Sequence, residues 1–254
     1  MDAGDASVTD SGPDVTDASE GDATDGAAEA AEAGEAGPPS LCPGNFLFCD
    51  GFEESIMTNW TQIQSSAGQV SEDSVHVYRG AKALHANLYA VAEAGSQAWA
   101  YVSKYGMQPW PTHVFTRLFA YIPSPSQPSI EGMLDLVHNG SPFTGLELRV
   151  VPSNATLGME TFNTGADQSW QSVDASAALD QWVCFEVEVD TAAETSHLYV
   201  NDTEVTDLAQ SNLGLQQLGI TNVGLTLPSG NVQGTSDAWI DEVAVDSARI
   251  GCTN

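Results

Sequence analysis

From Leu41 onward, apolar and polar residues alternate with a period close to two. Successive side chains of an extended strand point to opposite faces, whereas a helix repeats every 3.6 residues. The pattern therefore restricts this part of the chain to β structure. Strands are expected at 46–53, 83–89, 97–105, 113–122, 133–138, 146–151, 182–190, 197–200, 221–227 and 238–246. Turn clusters such as Pro123-Ser124-Pro125-Ser126 and Asn139-Gly140-Ser141-Pro142 separate them. Only 176–180 and 206–218 suit a helical turn. About ten short strands with turns between them describe an antiparallel all-β sandwich, and residues 41–254 suffice for one such domain.

Alternation also assigns faces. Leu146, Leu148 and Val150 point one way, and Glu147 and Arg149 the other. Val183, Phe185, Val187 and Val189 form an apolar set opposite Trp182, Cys184, Glu186 and Glu188. Leu134 and Leu136 face inward and Asp135 outward. This pattern suits sheets with one packed face and one wet face.

Charge divides the chain. The net charge is −29, from 35 acidic and 6 basic residues. Residues 1–40 hold 11 acids and no cation, and they lack Leu, Ile and aromatic residues. Such a segment buries too little apolar surface to offset the entropy of ordering, so it reads as a disordered acidic tether. The remaining body carries −18. A nucleic-acid binder needs a basic footprint, and docking on anionic membranes needs juxtamembrane cations. The charge rules out the first class and argues against the second. No stretch approaches the roughly 18 apolar residues of a transmembrane span. Cys42, Cys49, Cys184 and Cys252 include no Cys-x-x-Cys pair and no His at zinc spacing. They read as two disulfides in an oxidising compartment, with three connectivities open.

A family resemblance rests on ordered landmarks. Phe48-Cys49-Asp50-Gly51-Phe52-Glu53 followed by Trp60 resembles the opening of concanavalin A-like lectin/glucanase domains. Tyr78-Arg79-Gly80-Ala81-Lys82-Ala83-Leu84 is similar to their second landmark. Trp182 to Asp190 with His197-Leu198-Tyr199-Val200-Asn201-Asp202 resembles a strand pair of laminin-G-like jelly rolls. Ala238-Trp239-Ile240-Asp241-Glu242-Val243 resembles the terminal Asp-x-Val strand. The resemblance implies a jelly roll with one convex and one concave sheet, and with its first and last strands paired. It favours Cys42–Cys252 with Cys49–Cys184, because paired terminal strands bring 42 near 252. Cys42–Cys49 with Cys184–Cys252 is the rival. The resemblance also implies a structural calcium ion held by Asp50 or Glu53, Gly80 and Asp241, since calcium takes hard oxygen ligands. The acidic segment resembles the spacers that follow the lipidated cysteine of bacterial surface lipoproteins. That implies an exported, surface-tethered monomer whose signal lies outside this sequence.

Catalytic grammar is not matched. Glu186-Val187-Glu188-Val189-Asp190 superficially resembles the acid-bearing strand of laminarinase-type glucanases. It falls instead at the family's non-catalytic strand. A lyase would draw on Arg117, Tyr121, His138 and Arg149, yet its Gln-x-His and Tyr-x-Lys-x-Gly motifs are missing. No Gly-x-Ser-x-Gly elbow or phosphate loop is present. The expected function is thus non-catalytic carbohydrate binding or adhesion on the concave face. Arg117, Asp135, Arg149, Glu186 and Trp170 are the candidate ligand residues, and the acidic body favours neutral glycans or a cell-surface partner. A polysaccharide-degrading enzyme, glycoside hydrolase or lyase, is the alternative, and a structural surface protein without a ligand is a third reading.

Overall fold

The structure is a computed structural model that describes residues 38–42, 44–89, 97–104, 111–124, 131–138, 144–163, 166–215, 222–230 and 236–253. The described strands, in chain order, begin with β1 (Phe48–Asp50), β2 (Gln62–Ser66), β3 (Gly68–Asp73) and β4 (Ala83–Leu88). Then come β5 (Gln97–Lys104), β6 (His113–Tyr121), β7 (Glu131–His138) and β8 (Thr144–Val151). They are followed by β9 (Thr156–Asn163), β10 (Ala166–Asp174), β11 (Trp182–Asp190) and β12 (Thr195–Val200). β13 (Thr203–Glu204), β14 (Gln210–Ser211), β15 (Asn222–Gly230) and β16 (Ser236–Asp246) complete the set. One helical turn, α1 (Ile56–Asn59), follows β1. The two segments that suit a helix contain single 3₁₀ turns, Ser176–Ala178 and Thr206–Leu208.

All strand pairs are antiparallel, and they form two sheets. Sheet A runs β13-β12-β11-β6-β16-β4-β3, with β1 beside β16 and β14 beside β12. Sheet B runs β10-β9-β8-β7-β15-β5-β2. The inner faces meet in one core. Leu118, Val183, Phe185, Val187, Leu198 and Ile240 come from sheet A, and Ala100, Val102, Leu146, Leu148, Val150 and Met159 from sheet B. The face assignments for β8 and β11 hold. The all-β antiparallel sandwich is therefore the fold.

Among the described residues, some just before 41 contact the body. Gly80 N–H donates to Pro38 O, and the Ser40 hydroxyl and Leu41 N–H donate to Glu242 Oε2. Six strands were not expected from the sequence: β2, β3, β9, β10, β13 and β14. Four of these, β2, β3, β10 and β13, end the strand order of a sheet, and β2 and β3 carry mostly polar residues. An edge strand buries little, so its hydrophobic period is faint.

The disulfides join Cys42 to Cys49 and Cys184 to Cys252. This corrects the favoured pairing of Cys42 with Cys252 and Cys49 with Cys184. The terminal strands do pair, Phe48 opposite Val245 and Asp50 opposite Val243. However, β1 is three residues long. Upstream of it the chain turns back on itself, so Cys42 meets Cys49 rather than following β16 to its end. Cys252 instead crosses to Cys184 on β11.

Candidate functional site

Sheet A carries Arg117 and Glu186 on its outer face, opposite each other on β6 and β11. Both are fully buried. The segment 247–253 lies over them: Glu186 accepts Ile250 N–H at 2.6 Å and the N–H of Gly251, and Arg249 Nε at 3.3 Å. Arg117 donates to Gly251 O and Glu242 O, and its guanidinium sits 6.0 Å from the Phe46 ring centroid. Phe115, Ala244 and Ile250 form a small apolar cluster there, with Phe46 and Cys49 packed on it. Burial pulls the Arg117 pKa down, while the carboxylates of Glu242 and Glu186 hold the charge. The expectation that Arg117 and Glu186 line an open groove is corrected: they bind the two chain ends to sheet A. Glu186, the first acid of the glucanase-like run, is thus a structural acceptor. Alternation along β11 could not show this, because the covering segment is more than sixty residues away in sequence.

The other half of that face is aromatic. Trp182, Tyr121, Trp239 and His85 occupy one cross-strand row on β11, β6, β16 and β4. His85 stacks on Trp239 at 4.6 Å, His76 lies 4.3 Å from it, and Trp239 Nε1 donates to Asp73. These rings fill one another's faces, as in a packed aromatic cluster.

The residues implied for calcium separate into two groups. Asp50 is committed elsewhere: it accepts Phe52 N–H at 2.8 Å and Trp60 Nε1 at 2.6 Å. Glu53 and Asp241 instead converge on segment 78–82. Glu53 accepts the Ala81 N–H at 2.9 Å, and Asp241 accepts those of Tyr78 and Arg79 at 3.0 and 3.1 Å. Gly80 has φ +70, and a Cβ there would lie 1.9 Å from Glu53 Oε1. A β-bulge between Asp241 and Ala244, with Glu242 at φ 53, turns two consecutive acids outward. Glu242 Oε1 is buried with no hydrogen-bond partner. Burial, and then the adjacent Glu242, push Asp241 up to about 8. Glu53 and Asp241 thus spend oxygens on backbone N–H groups of segment 78–82, and the carboxylate oxygen left over is Glu242 Oε1.

Sheet B presents a different surface. Its strands share a register row that crosses six of the seven. Ser103 on β5 stands opposite Gly224 on β15, Gly224 opposite Asp135 on β7, and Asp135 opposite Glu147 on β8. The row continues to Glu160 on β9 and Trp170 on β10. At the usual strand spacing, these six positions span roughly 24 Å. In the next row Arg149 stands between Gly132 and Gly158. Its guanidinium forks onto two acids: Nη2 meets Glu147 Oε2 at 2.8 Å and Nη1 meets Glu160 Oε2 at 2.6 Å. Glu147 and Glu160 are 7% and 4% exposed although they point away from the core, while the Arg149 side chain is 26% exposed. Burial pushes the Glu147 carboxyl up, and Arg149 opposes the shift.

Of the five candidate ligand residues, Asp135, Arg149 and Trp170 therefore lie on sheet B, and Arg117 and Glu186 on sheet A. Lyase candidates Arg117 and Tyr121 are likewise on sheet A, apart from Arg149 and His138. Glu160 was not anticipated. Its signal was the alternation Leu157-Gly158-Met159-Glu160-Thr161, which places one acid mid-strand opposite a packed face.

No family model matches this sequence, and no curated protein matches it. Solved structures do. The fold is similar to that of an endo-beta-1,4-glucuronan lyase from the fungus Trichoderma reesei. That match has a TM-score of 0.62 and 16% identity over 80% of this chain and 96% of that one. The cellulose-induced protein Cip1 also has a TM-score of 0.62, at 14% identity over 81% of this chain and 99% of that chain. A sialidase matches at 0.53 and 13% identity, covering 79% of this chain and 18% of that one. At such identities the likeness is one of fold.

Proposed function

We propose that this protein is a non-catalytic carbohydrate-binding domain of the concanavalin A-like kind, and that the outer face of sheet B receives the glycan. One observation carries the reading: the Arg149 fork is spent on two recessed carboxylates in the middle of a solvent-side face. A lyase needs an arginine to neutralise a uronate carboxylate. Here Glu147 and Glu160 already take that role, so the site has acceptors to give and no spare positive charge. Carboxylates accept from sugar hydroxyls, and the glycines beside Arg149 and at position 224 keep the floor low. A polysaccharide lyase among the fold neighbours is in keeping with a glycan ligand, and the choice of binding over catalysis rests on the Arg149 fork.

We further propose a structural calcium ion held by Glu53 and Asp241 with carbonyls of segment 78–82, Asp50 taking no part. Two disulfides are consistent with an exported, surface-tethered protein, and no helix among the described residues is long and apolar enough to cross a membrane.

Calorimetric titration of the chain with neutral β-glucan oligosaccharides tests the binding reading. Saturable binding that disappears in Arg149→Ala supports it. Reducing-end release or unsaturated-product absorbance from polysaccharide would overturn the non-catalytic assignment in favour of an enzyme.

A further inference from the structure

Three chemically matched side chains meet where β1, α1 and β5 end. Asp50 is the last residue of β1, Asn59 of α1 and Lys104 of β5. Thr61 N–H donates to Ser103 O at 2.8 Å, and Gln62 stands opposite Ser103. The backbone therefore pins the end of α1 beside the end of β5. Lys104 Nζ donates to Asn59 O across a sequence separation of 45. The Asn59 side-chain amide also hydrogen-bonds to the Asp50 carboxyl. One asparagine thus touches both an amine and a carboxyl group. None of the three belongs to the glycan face or to the calcium ligands proposed above.

The surroundings are aromatic and dry. Phe48, Phe52 and Trp60 are buried, and Trp60 meets Phe48 edge-on at 5.4 Å and stacks on Phe52 at 6.0 Å. Lys104 Nζ lies 5.7 Å from the Phe48 ring centroid, and Trp60 Nε1 donates to Asp50 Oδ2 at 2.6 Å. Asp50 is 5% exposed. Burial pushes its carboxyl up from the ordinary 3.8, against the hydrogen bonds from Phe52, Trp60 and Asn59. A carboxyl group in such a place is suited to holding and returning a proton. The oxygen and nitrogen of an asparagine amide exchange places by a half-turn about Cβ–Cγ, so the oxygen can face that acid.

We propose that Lys104 and Asn59 condense to an isopeptide bond, with Asp50 as the proton carrier. Lys104 Nζ gives up its ammonium proton to water and attacks Asn59 Cγ. The new C–N bond forms as the carbonyl pair moves onto Oδ1, where the Asp50 acid delivers its proton. The Asp50 carboxylate then takes a proton from Nζ and passes it to Nδ2. The Cγ–Nδ2 bond breaks and ammonia leaves. Oδ1 returns its proton to Asp50 as the carbonyl re-forms. An amine and a carboxamide thus become a secondary amide and ammonia, with no oxidant or reductant needed. Fixed proximity supplies what the same groups lack when free in water. The bond ties the segment after β1 to sheet B through β5.

The test is mass spectrometry of the folded full chain after prolonged incubation at neutral pH, with its disulfides reduced before measurement. The intact mass is expected to fall short of the sequence mass by one ammonia. A peptide map should contain a branched peptide that joins Asn59 to Lys104. Lys104→Arg keeps a cation over Phe48 but cannot condense, and should restore the full mass. Asn59→Asp should reach the same final mass as the wild type, because water leaves in place of ammonia. Asp50→Asn should slow formation of the branched peptide by roughly 100-fold or more, the size of general acid–base catalysis. Full sequence mass in the folded wild type would overturn the proposal. So would an ammonia deficit that persists in Lys104→Arg, since a succinimide at another asparagine also loses ammonia. Branching at an unchanged rate in Asp50→Asn would overturn the role of Asp50. If that variant does not fold, the Lys104→Arg and Asn59→Asp masses still decide whether the bond forms.

Discussion

Glu186 and Glu204 are both paired acids on sheet A, and burial separates what they contribute. Glu186 is fully buried, takes two backbone N–H groups and Arg249, and neighbours buried Arg117. Glu186→Ala strands those donors and leaves Arg117 dependent on Glu242. Breaking a buried charge pair in this way costs about 3–5 kcal/mol. Glu204 pairs with His197 at 2.8 Å with both side chains about a third exposed, where such pairs contribute about 0–1 kcal/mol. Urea unfolding of the two alanine variants is expected to show this contrast. A small effect at Glu186 would mean that the C-terminal segment does not cover it in solution. Asp237 gives the residue-scale pH dependence. His85 Nε2 at 2.8 Å, and then Asn87, hold its carboxyl below the ordinary value of 3.8. A lowered folded pKa gives stability that is present above the unfolded value and lost as pH falls through the folded one. Asp237→Asn should therefore lower the melting temperature at neutral pH and flatten its further loss below about pH 4, where the two proteins converge.

At the scale of elements, the C-terminal segment depends on one covalent bond. Cys184–Cys252 closes a loop with a sequence separation of 68, whereas Cys42–Cys49 closes one of 7. The chain-entropy account assigns more stabilisation to the longer loop, about 2–4 kcal/mol for a typical bridge. Replacing Cys184 and Cys252 by Ser should lower stability more than replacing Cys42 and Cys49. Nonreducing peptide mapping of the native protein should yield Cys42 and Cys49 linked to each other. The contrast also shows what a sequence can carry. The central strands β6, β8, β11 and β16 were legible because each has one wholly apolar face. β2 and β10, at the edges, were not. Asp135 and Arg149 were recognisable as residues on strands, and Arg149 as an outward one. Their separation from Arg117 and Glu186 was not, because alternation tells in from out but cannot say which sheet a strand joins. The Cys pairing failed for a similar reason: register along β1 was nearly right, and the turn that ends β1 after three residues has no periodic signature.

At the scale of the whole molecule, the body's charge of −18 complicates any measurement of calcium. Any added cation screens self-repulsion, with a Debye length near 10 Å at about 0.1 M salt, so a rise in melting temperature alone says nothing about a site. The control is magnesium at equal ionic strength. Magnesium screens equally but demands near-ideal octahedral geometry, whereas calcium accepts six to eight oxygens in irregular arrangements. Glu53 and Asp241, both turned onto segment 78–82, would supply carboxylate oxygens of the irregular kind. At a calcium concentration 100 times the dissociation constant, a site present only in the folded chain adds about 2.7 kcal/mol. For a domain of this size that amounts to roughly 5–10 °C in the melting midpoint. Calcium is therefore expected to exceed magnesium by this margin. Glu53→Gln should erase the excess and keep the common screening shift, while Asp50→Asn should keep both. Equal midpoints in the two salts would remove the calcium site and leave segment 78–82 held by backbone hydrogen bonds alone.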